Sequence, residues 1–364
     1  MRSDDAYWLL FAHLGLPPNQ ATELLSVFGG PGAVFAASRQ ELANVSPGGA
    51  RLHHRVREAE RSTDLAEVCR LLERVEATVL AIDDAAYPPL LRTIHAPPPV
   101  LFVQGDAGAL SAPAVCIVGS RRGSAYGMSV AHQLAADLVG AGLVVVSGLA
   151  VGIDSAAHGG ALDGGGRTVG VLGCSLEVDY PRGSRDLKRR IVEAGALVSE
   201  FPPGTTPRPY TFPQRNRVVS GLSLGAIAVE APEASGALIT AQHALEQGRE
   251  VMAVPGDITS GRNRGCHALL RDGATLVEAA EHVLAALDLP PRDVPQPPGP
   301  ARPRADGLSP PEQSVLGVLG VDPSSVEALM GLTGLSPADI NSCLMLLEMK
   351  GHARRLPGGR YVAA

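Results

Sequence analysis

"AVCIVGSRRGSAYGMSVAHQLAADLVGAGLVVVSGLAVGIDSAAHGGAL", residues 114–162, decides the fold. It opens on a short apolar run rich in β-branched residues, 114–118, and carries a second at 143–146. Runs this short, with no polar alternation and a Gly or Ser directly after, predict strands buried on both faces. Between them "YGMSVAHQLAADLVGAG" places its apolar residues at helical spacing. A buried strand, a helix and a second buried strand make a βαβ unit, and such units build parallel sheets. The pattern recurs in "TVGVLG" (168–173), "ALVSE" (196–200), "GAIAVEA" (225–231) and "EVMAVPG" (250–256). Several of these strands end in Gly or Ser, at the carboxyl edge where open α/β sheets bind ligands.

Around this core the composition changes. The chain has 364 residues, which predicts two or three domains. Residues 1–76 read as short helices ("NQATELLSVFG", "GGPGAVFAAS", "RQELANV") joined by Gly-Pro turns, as in a helix-hairpin-helix or sterile-alpha-motif-like module. Such a module contacts either DNA phosphates or another protein, and its excess of acids favours protein. Residues 77–288 hold the α/β pattern. At 289–308 proline is too dense for helix or sheet and predicts an extended linker. The tail, 309–364, reads as three helices and a hairpin, the layout of a winged helix. Its "LPGGRY" is the expected hairpin turn.

Five cysteines, at 69, 116, 174, 266 and 343, lie far apart with no CxxC pair, so neither a disulfide frame nor a zinc site is expected. No run of 18 apolar residues occurs and the N-terminus lacks the features of a secretory signal. The expectation is a reduced cytoplasmic protein without metal or cofactor. The net charge of −6 argues mildly against nucleic acid, but clustered charge matters more than the sum. Only Lys188 and Lys350 are lysines, so almost all the positive charge is arginine, the better fork for phosphate.

Three segments carry the candidate chemistry. The turn "VGSRRGSAYGM" (118–128) has Gly119, Ser120 and Arg121 between a strand and a helix, with free amides at the helix start expected to favour an anion. It is not GxGxxG, and no acid ends the next strand to hold a ribose, which argues against a dinucleotide. In "SGLAVGIDSAAHGGAL" (147–162), Ser147, Asp154, Ser155 and His158 could be drawn as nucleophile, acid and base. Nothing there resembles the GxSxG elbow, so capping and turn hydrogen bonds are the expected role of Asp154 and His158. In "SEFPPGTTPRPYTFPQRNRVVSGLS" (199–223), Arg208, Arg215 and Arg217 alternate with Tyr210 and Phe212 in a proline-stiffened loop. Guanidinium groups for phosphates beside rings for bases suit single-stranded nucleic acid. "YPRGSRDLKRRI" (180–191) adds Arg182 and Arg185, with a solvated helix face as the plain alternative.

Taken in order, "SGLAVGIDSAAHGGAL", "SEFPPGTTP", "FPQRNRVVSGLS", "VEAPEASGALITAQHALEQGREVMAVPG" and "LLRDGATLV" resemble the DNA-processing protein A (DprA/Smf) family, most closely over residues 85–280. The resemblance implies an extended Rossmann fold that binds single-stranded DNA and delivers it to the RecA recombinase in natural transformation, as a homodimer. It implies a DNA pocket at Gly119, Ser120 and Arg121, and further contacts from Phe212, Arg215, Asn216 and Arg217, with Arg208 upstream. The sequence departs from the family pattern at Ser175, Ser184 and His267, the second of these between Arg182 and Arg185. The competing class is an enzyme: Rossmann-like phosphoribohydrolases carry Pro-Gly-Gly-x-Gly-Thr-x-x-Glu, and "PGGARL" and "PGGRYV" lack its Gly-Thr and Glu. A third reading, a scaffold acting through its end domains, expects residues 77–288 to bind no DNA by themselves.

Overall fold

The computed structural model describes residues 3–45, 49–290, 308–320, 324–350, 352–356 and 360–363. The chain divides into two compact units, Met1–Pro295 and Gln296–Ala364. Most of the expected linker (291–307) and the tail's hairpin turn (357–359) lie outside the described residues.

The first unit is built on a nine-stranded sheet. Its strands are β1 (Ala77–Ala81), β2 (Val100–Gly105), β3 (Ala114–Val118), β4 (Val144–Ser147), β5 (Thr168–Val171), β6 (Ala196–Ser199), β7 (Gly225–Ala228), β8 (Glu250–Ala253) and β9 (Thr275–Leu276). They lie in the order β1-β2-β6-β5-β4-β3-β7-β8-β9. All neighbours from β6 to β9 are parallel. The fold is thus the α/β, Rossmann-like sheet expected, with one addition. β1 and β2 pair antiparallel with each other and on to β6, and extend the sheet at one edge.

Alternate residues of each strand divide between two cores, as the twofold repeat of a strand requires. Ala114, Cys116, Val118, Val144, Val146, Ala226 and Ala228 face the helices Thr211–Gly221 and Gly236–Glu246. Val115, Ile117, Val145 and Ile227 face the helices Ala125–Gly140 and Ile153–Asp163. Val115, Ile117 and Val145 are fully buried, each worth about 1.5–3 kcal/mol against exposure.

Among the described residues six helices lie between Ser3 and Arg74. Leu24, Val34, Leu42 and Val56 make their own core. Trp8, Val68 and Leu72 pack instead against Phe102, Leu149 and Leu197 of the sheet region, so the helices belong to the first unit.

The second unit contains the helices Pro310–Val318, Val326–Thr333 and Pro337–Met349 and a three-stranded sheet of Ser324–Ser325, Arg360–Ala363 and Ala353–Leu356. This is a winged helix. Ser336 caps its third helix by accepting from the Asp339 amide at 3.3 Å, with Pro337 in the first turn.

Candidate nucleic-acid interface

The chain runs from β3 through β4 and β5 to β6 on one side, then returns to lay β7, β8 and β9 on the other side of β3. The strand order reverses between β3 and β7, and a crevice opens at such a point outside the carboxyl ends. The connection from β6 to β7 must recross β5, β4 and β3, which brings Pro207, Arg208 and Pro209 to the crevice. The result is a cleft of about 770 Å³ lined by Gly119, Ser120, Arg121, Arg208, Phe212, Arg215 and Asn216 among others.

Gly119 ends β3. Ser120 holds the turn at both ends: its N–H donates to the Glu230 carbonyl at 2.7 Å, and its Oγ accepts from the Arg122 N–H at 3.0 Å. Arg121 and Arg122 are then left exposed at the rim. The Arg121 guanidinium carbon lies 5.2 Å from the Phe212 ring centroid, a cation–π distance. Phe212 in turn lies 5.3 Å from Tyr180, their planes 39° apart. Gly173 makes this ring position available, since a Cβ there would come within 2.7 Å of Phe212 Cδ1. The Thr211 hydroxyl donates to the Gly173 carbonyl at 2.6 Å and pins the start of the Phe212 helix to the end of β5. Asn216 Nδ2 donates to the Gly236 carbonyl at 3.2 Å and fixes the opposite wall.

Among the glycines of residues 147–162, Gly148 admits a guanidinium, not a phosphate, while Gly152 and Gly160 admit the backbone of Ser120–Arg121 and of His132. A Cβ on Gly148 would overlap the Arg215 head group. Arg215 is 4% exposed. Its Nη1 donates to the Val171 carbonyl, and Asp154 is its counter-charge. Burial pushes the Arg215 pKa down to about 10, against the pull of Asp154. Burial likewise raises the Asp154 carboxyl, opposed by Arg215 and by the amides of Ala150, Gly119 and Gly148.

The drawn triad does not assemble. The Ser147 hydroxyl donates to the Ile117 carbonyl at 2.6 Å, and His158 Nδ1 meets Thr168 Oγ1 at 2.7 Å. Asp154 accepts from the Ala150 amide at 3.3 Å. All three side chains are buried. Burial, and then the Arg215 charge, push the His158 pKa down to about 3, so the ring is neutral. Among the described residues no group of three or more His, Cys, Asp or Glu side chains is placed to hold a metal ion.

Three of the expected arginines, Arg185, Arg215 and Arg217, are engaged within the protein. Arg217 turns away from the cleft and meets Glu200 through both nitrogens, at 2.7 and 3.0 Å, with both side chains under a tenth exposed. It stands beside Glu200 in a depression also lined by Phe11, His13 and Pro99, and a guanidinium can be buried there only with a carboxylate beside it. Arg215 reaches the cleft wall but is anchored inside it, for the reasons given. Arg185 is ion-paired with Asp179 at 2.9 Å. Arg182 is exposed, and neither it nor Arg185 lines the cleft. In the rest of that basic stretch Arg189 pairs with Asp186 and Glu193 and Arg190 with Asp163, while the half-buried Lys188 donates to the Val178 carbonyl at 3.0 Å.

The helix start at Ala125 is not free either. The Glu230 carboxylate accepts from the Ser124 N–H at 3.1 and 3.3 Å and from the Ser124 hydroxyl. Sequence reasoning did not select Glu230, Tyr180 or Arg262. The Arg262 Nη1 donates to the Arg122 carbonyl at 3.2 Å and stands 3.9 Å from Glu230 Oε1. The signal for Tyr180 was the Tyr-Pro step beside the basic stretch. Arg262 comes from a loop far along the chain and left none.

Comparison with known proteins agrees with this architecture. The family model of DNA recombination-mediator protein A matches residues 78–288, and that of the DprA winged helix domain matches residues 299–359. DNA processing protein DprA of Streptococcus pneumoniae is 42% identical over 208 residues, 57% of this chain and 73% of that protein. Protein Smf of Escherichia coli is 37% identical over 291 residues, 79% of this chain and 78% of that protein. The X-ray structure of the Streptococcus pneumoniae protein superposes with a TM-score of 0.68 at 34% identity, covering 78% of this chain and 98% of that one. The structure of DNA processing protein A from Helicobacter pylori, described for its single-stranded DNA binding mode, gives 0.53 at 28% identity, covering 58% and 95%. With the matched model spanning more than half its length and the sheet order and winged helix in place, this chain belongs to the DNA processing protein A (DprA/Smf) family.

Proposed function

We propose that this protein binds single-stranded DNA, independently of sequence, in the cleft over the β3–β7 switch point. The carrying observation is Arg121 held over Phe212, which itself stacks beside Tyr180. A guanidinium that can meet a phosphate and a pair of rings that can receive a base stand within one nucleotide's reach of each other. Arg208, also exposed, adds a second guanidinium to the same cleft. No contact of this kind reads a base edge, which favours sequence independence. The related Helicobacter pylori protein, with its single-stranded DNA binding mode, supports the reading.

In this reading the protein protects incoming DNA and hands it to the RecA recombinase during natural transformation, as a cytoplasmic homodimer joined through the Rossmann-like domain, without metal, cofactor or turnover. The engaged hydroxyl of Ser147 and the neutral, buried ring of His158 favour a binder over an enzyme. The test is a titration of the full chain with labelled single- and double-stranded oligonucleotides of several sequences at two salt concentrations. Tight, salt-dependent binding of every single strand is expected, with log affinity falling by about 0.7 per phosphate contacted for each decade of salt. Equal preference for duplex, or nucleoside monophosphate cleavage that disappears with His158→Ala in a folded protein, would overturn it.

A further inference from the structure

A Rossmann-like sheet normally offers the first helix start after its central strand to a phosphate, because the amides there are unpaired and the helix dipole favours an anion. Here a side chain is already in that place. Glu230, 3% exposed, comes from the end of β7, the strand across the switch point from β3. Its carboxylate accepts from the Ser124 amide and hydroxyl in the last residue before the helix Ala125–Gly140. The backbone clamps the arrangement, since the Ser120 N–H donates to the Glu230 carbonyl at 2.7 Å. Gly127, in the first turn of the helix, leaves the room: a Cβ there would stand 2.6 Å from Glu230 Oε2. Arg262 approaches Oε1 from the solvent side at 3.9 Å, its own side chain 53% exposed. The elements of a phosphate site surround one internal carboxylate: the Ser124 amide and hydroxyl donate to it, Gly127 leaves it room, and the Arg262 guanidinium stands 3.9 Å away.

We propose that Glu230 is a resident anion that sets specificity: it fills the phosphate position of the fold, so that free nucleotides and phosphate are refused. A polymer is held instead on the outer rim, where Arg121 lies over Phe212. A second anion cannot join the first at the helix start, because the Ser124 donors are taken and the two charges repel. A single strand needs no entry there, since its phosphates can pass Arg121 on the outside. This deepens the proposed function and rests on the cleft being a single-strand site.

The test uses the full chain with Glu230→Ala and Glu230→Gln. Thermal unfolding is followed from 0 to 20 mM inorganic phosphate at constant ionic strength with chloride. Glu230→Ala vacates the position and should gain about 2–4 °C in Tm as phosphate refills it. The wild type, and Glu230→Gln, whose amide still fills the space, should not move. In a second arm dAMP is titrated against a bound oligo-dT. Millimolar dAMP should weaken the oligonucleotide at least threefold on Glu230→Ala and leave the wild type unchanged. A purely structural cap would lower the Tm of Glu230→Ala but give no phosphate-specific recovery and no competition. A folded Glu230→Ala without either response overturns the proposal. So does a wild type on which dAMP competes, a result that stands even if Glu230→Ala does not fold. If the wild type binds no oligonucleotide, the single-strand reading fails, while the phosphate arm still decides the role of Glu230.

Discussion

Replacing Arg217 by alanine should damage stability and spare DNA affinity. Arg217 and Glu200 form a two-nitrogen, two-oxygen pair at 2.7 and 3.0 Å, with side chains 9% and 8% exposed. Glu200 has one further partner there, Gln214 Nε2 at 3.2 Å. Removing the guanidinium leaves a buried carboxylate with that single neutral donor, a loss of about 3–5 kcal/mol. With an m value of about 3 kcal/mol/M in urea, the unfolding midpoint should fall by about 1–1.7 M. Replacing both partners together, as Arg217→Met with Glu200→Leu, removes the stranded charge and should restore most of the loss. The assay is urea unfolding of the full chain by circular dichroism. It is paired with oligonucleotide titrations at two salt concentrations under conditions where each variant is folded. The salt slope should stay at its wild-type value. If Arg217→Ala keeps the wild-type midpoint and lowers the slope by about 0.7, the side chain holds a phosphate and the ion pair is incidental.

Arg121→Ala should behave in the opposite way: affinity for single strands of any sequence falls about tenfold to a hundredfold, for one charged contact of about 1.5–3 kcal/mol, and the salt slope drops by about 0.7. Its stability should fall by no more than about 1 kcal/mol, the value of an exposed cation–π contact, and lysine should rescue binding only in part. Gly173→Ala should push Phe212 out of its place and cost about 1–3 kcal/mol of oligonucleotide affinity, the value of one base–aromatic stack; unchanged affinity would remove Phe212 from the site. His158 predicts a pH effect. Its folded pKa is held near 3 against an ordinary 6.5. Its contribution is therefore full above pH 6.5 and declines as pH falls toward 3, by up to about 1.4 kcal/mol per unit, because the unfolded ring takes a proton that the folded one refuses. His158→Gln should flatten the decline in urea midpoint between pH 7 and 5, and an identical decline would refute the assignment.

The parallel core was legible because each strand is an uninterrupted apolar run and the Gly or Ser after it marks the edge. β1 and β2 were not. Eighteen residues separate them, rich in proline and without a hairpin turn sequence, so their antiparallel pairing could only come from the edge of β6 that was waiting for them. The turn at Gly119–Arg121 and the ring at Phe212 were also legible, since local spacing sets both. The fate of the loop arginines was not. Arg215 and Arg217 lie two residues apart on one helix. Which of them meets Asp154 and which meets Glu200 depends on carboxylates brought from elsewhere in the chain, one from the helix Ile153–Asp163 and one from just after β6. Composition counts all of these groups as available charge.

That distribution of charge also bears on what the cleft can hold. The carboxyl edge of a parallel sheet gathers unpaired amides, and a fold that binds a small anion leaves them open. In this chain the inner positions are filled from within. Glu230 takes the helix start at Ser124, Asp154 takes the amide of Ala150, and Arg215 lies in the space over Gly148. A small ligand would have to displace one of these buried groups and strand its partner. What remains accessible is lateral: Arg121 over Phe212 beside Tyr180, with Arg208 in the same cleft. Such a row gives little to a single nucleotide, which can engage one cation and one ring at a time. A strand crossing it engages several together, each additional contact being made without a new loss of translational freedom. Shortening the oligonucleotide should therefore weaken binding in steps far larger than any one contact would suggest. A trinucleotide that binds as tightly as a twenty-mer would mean that the affinity lies in a closed pocket after all.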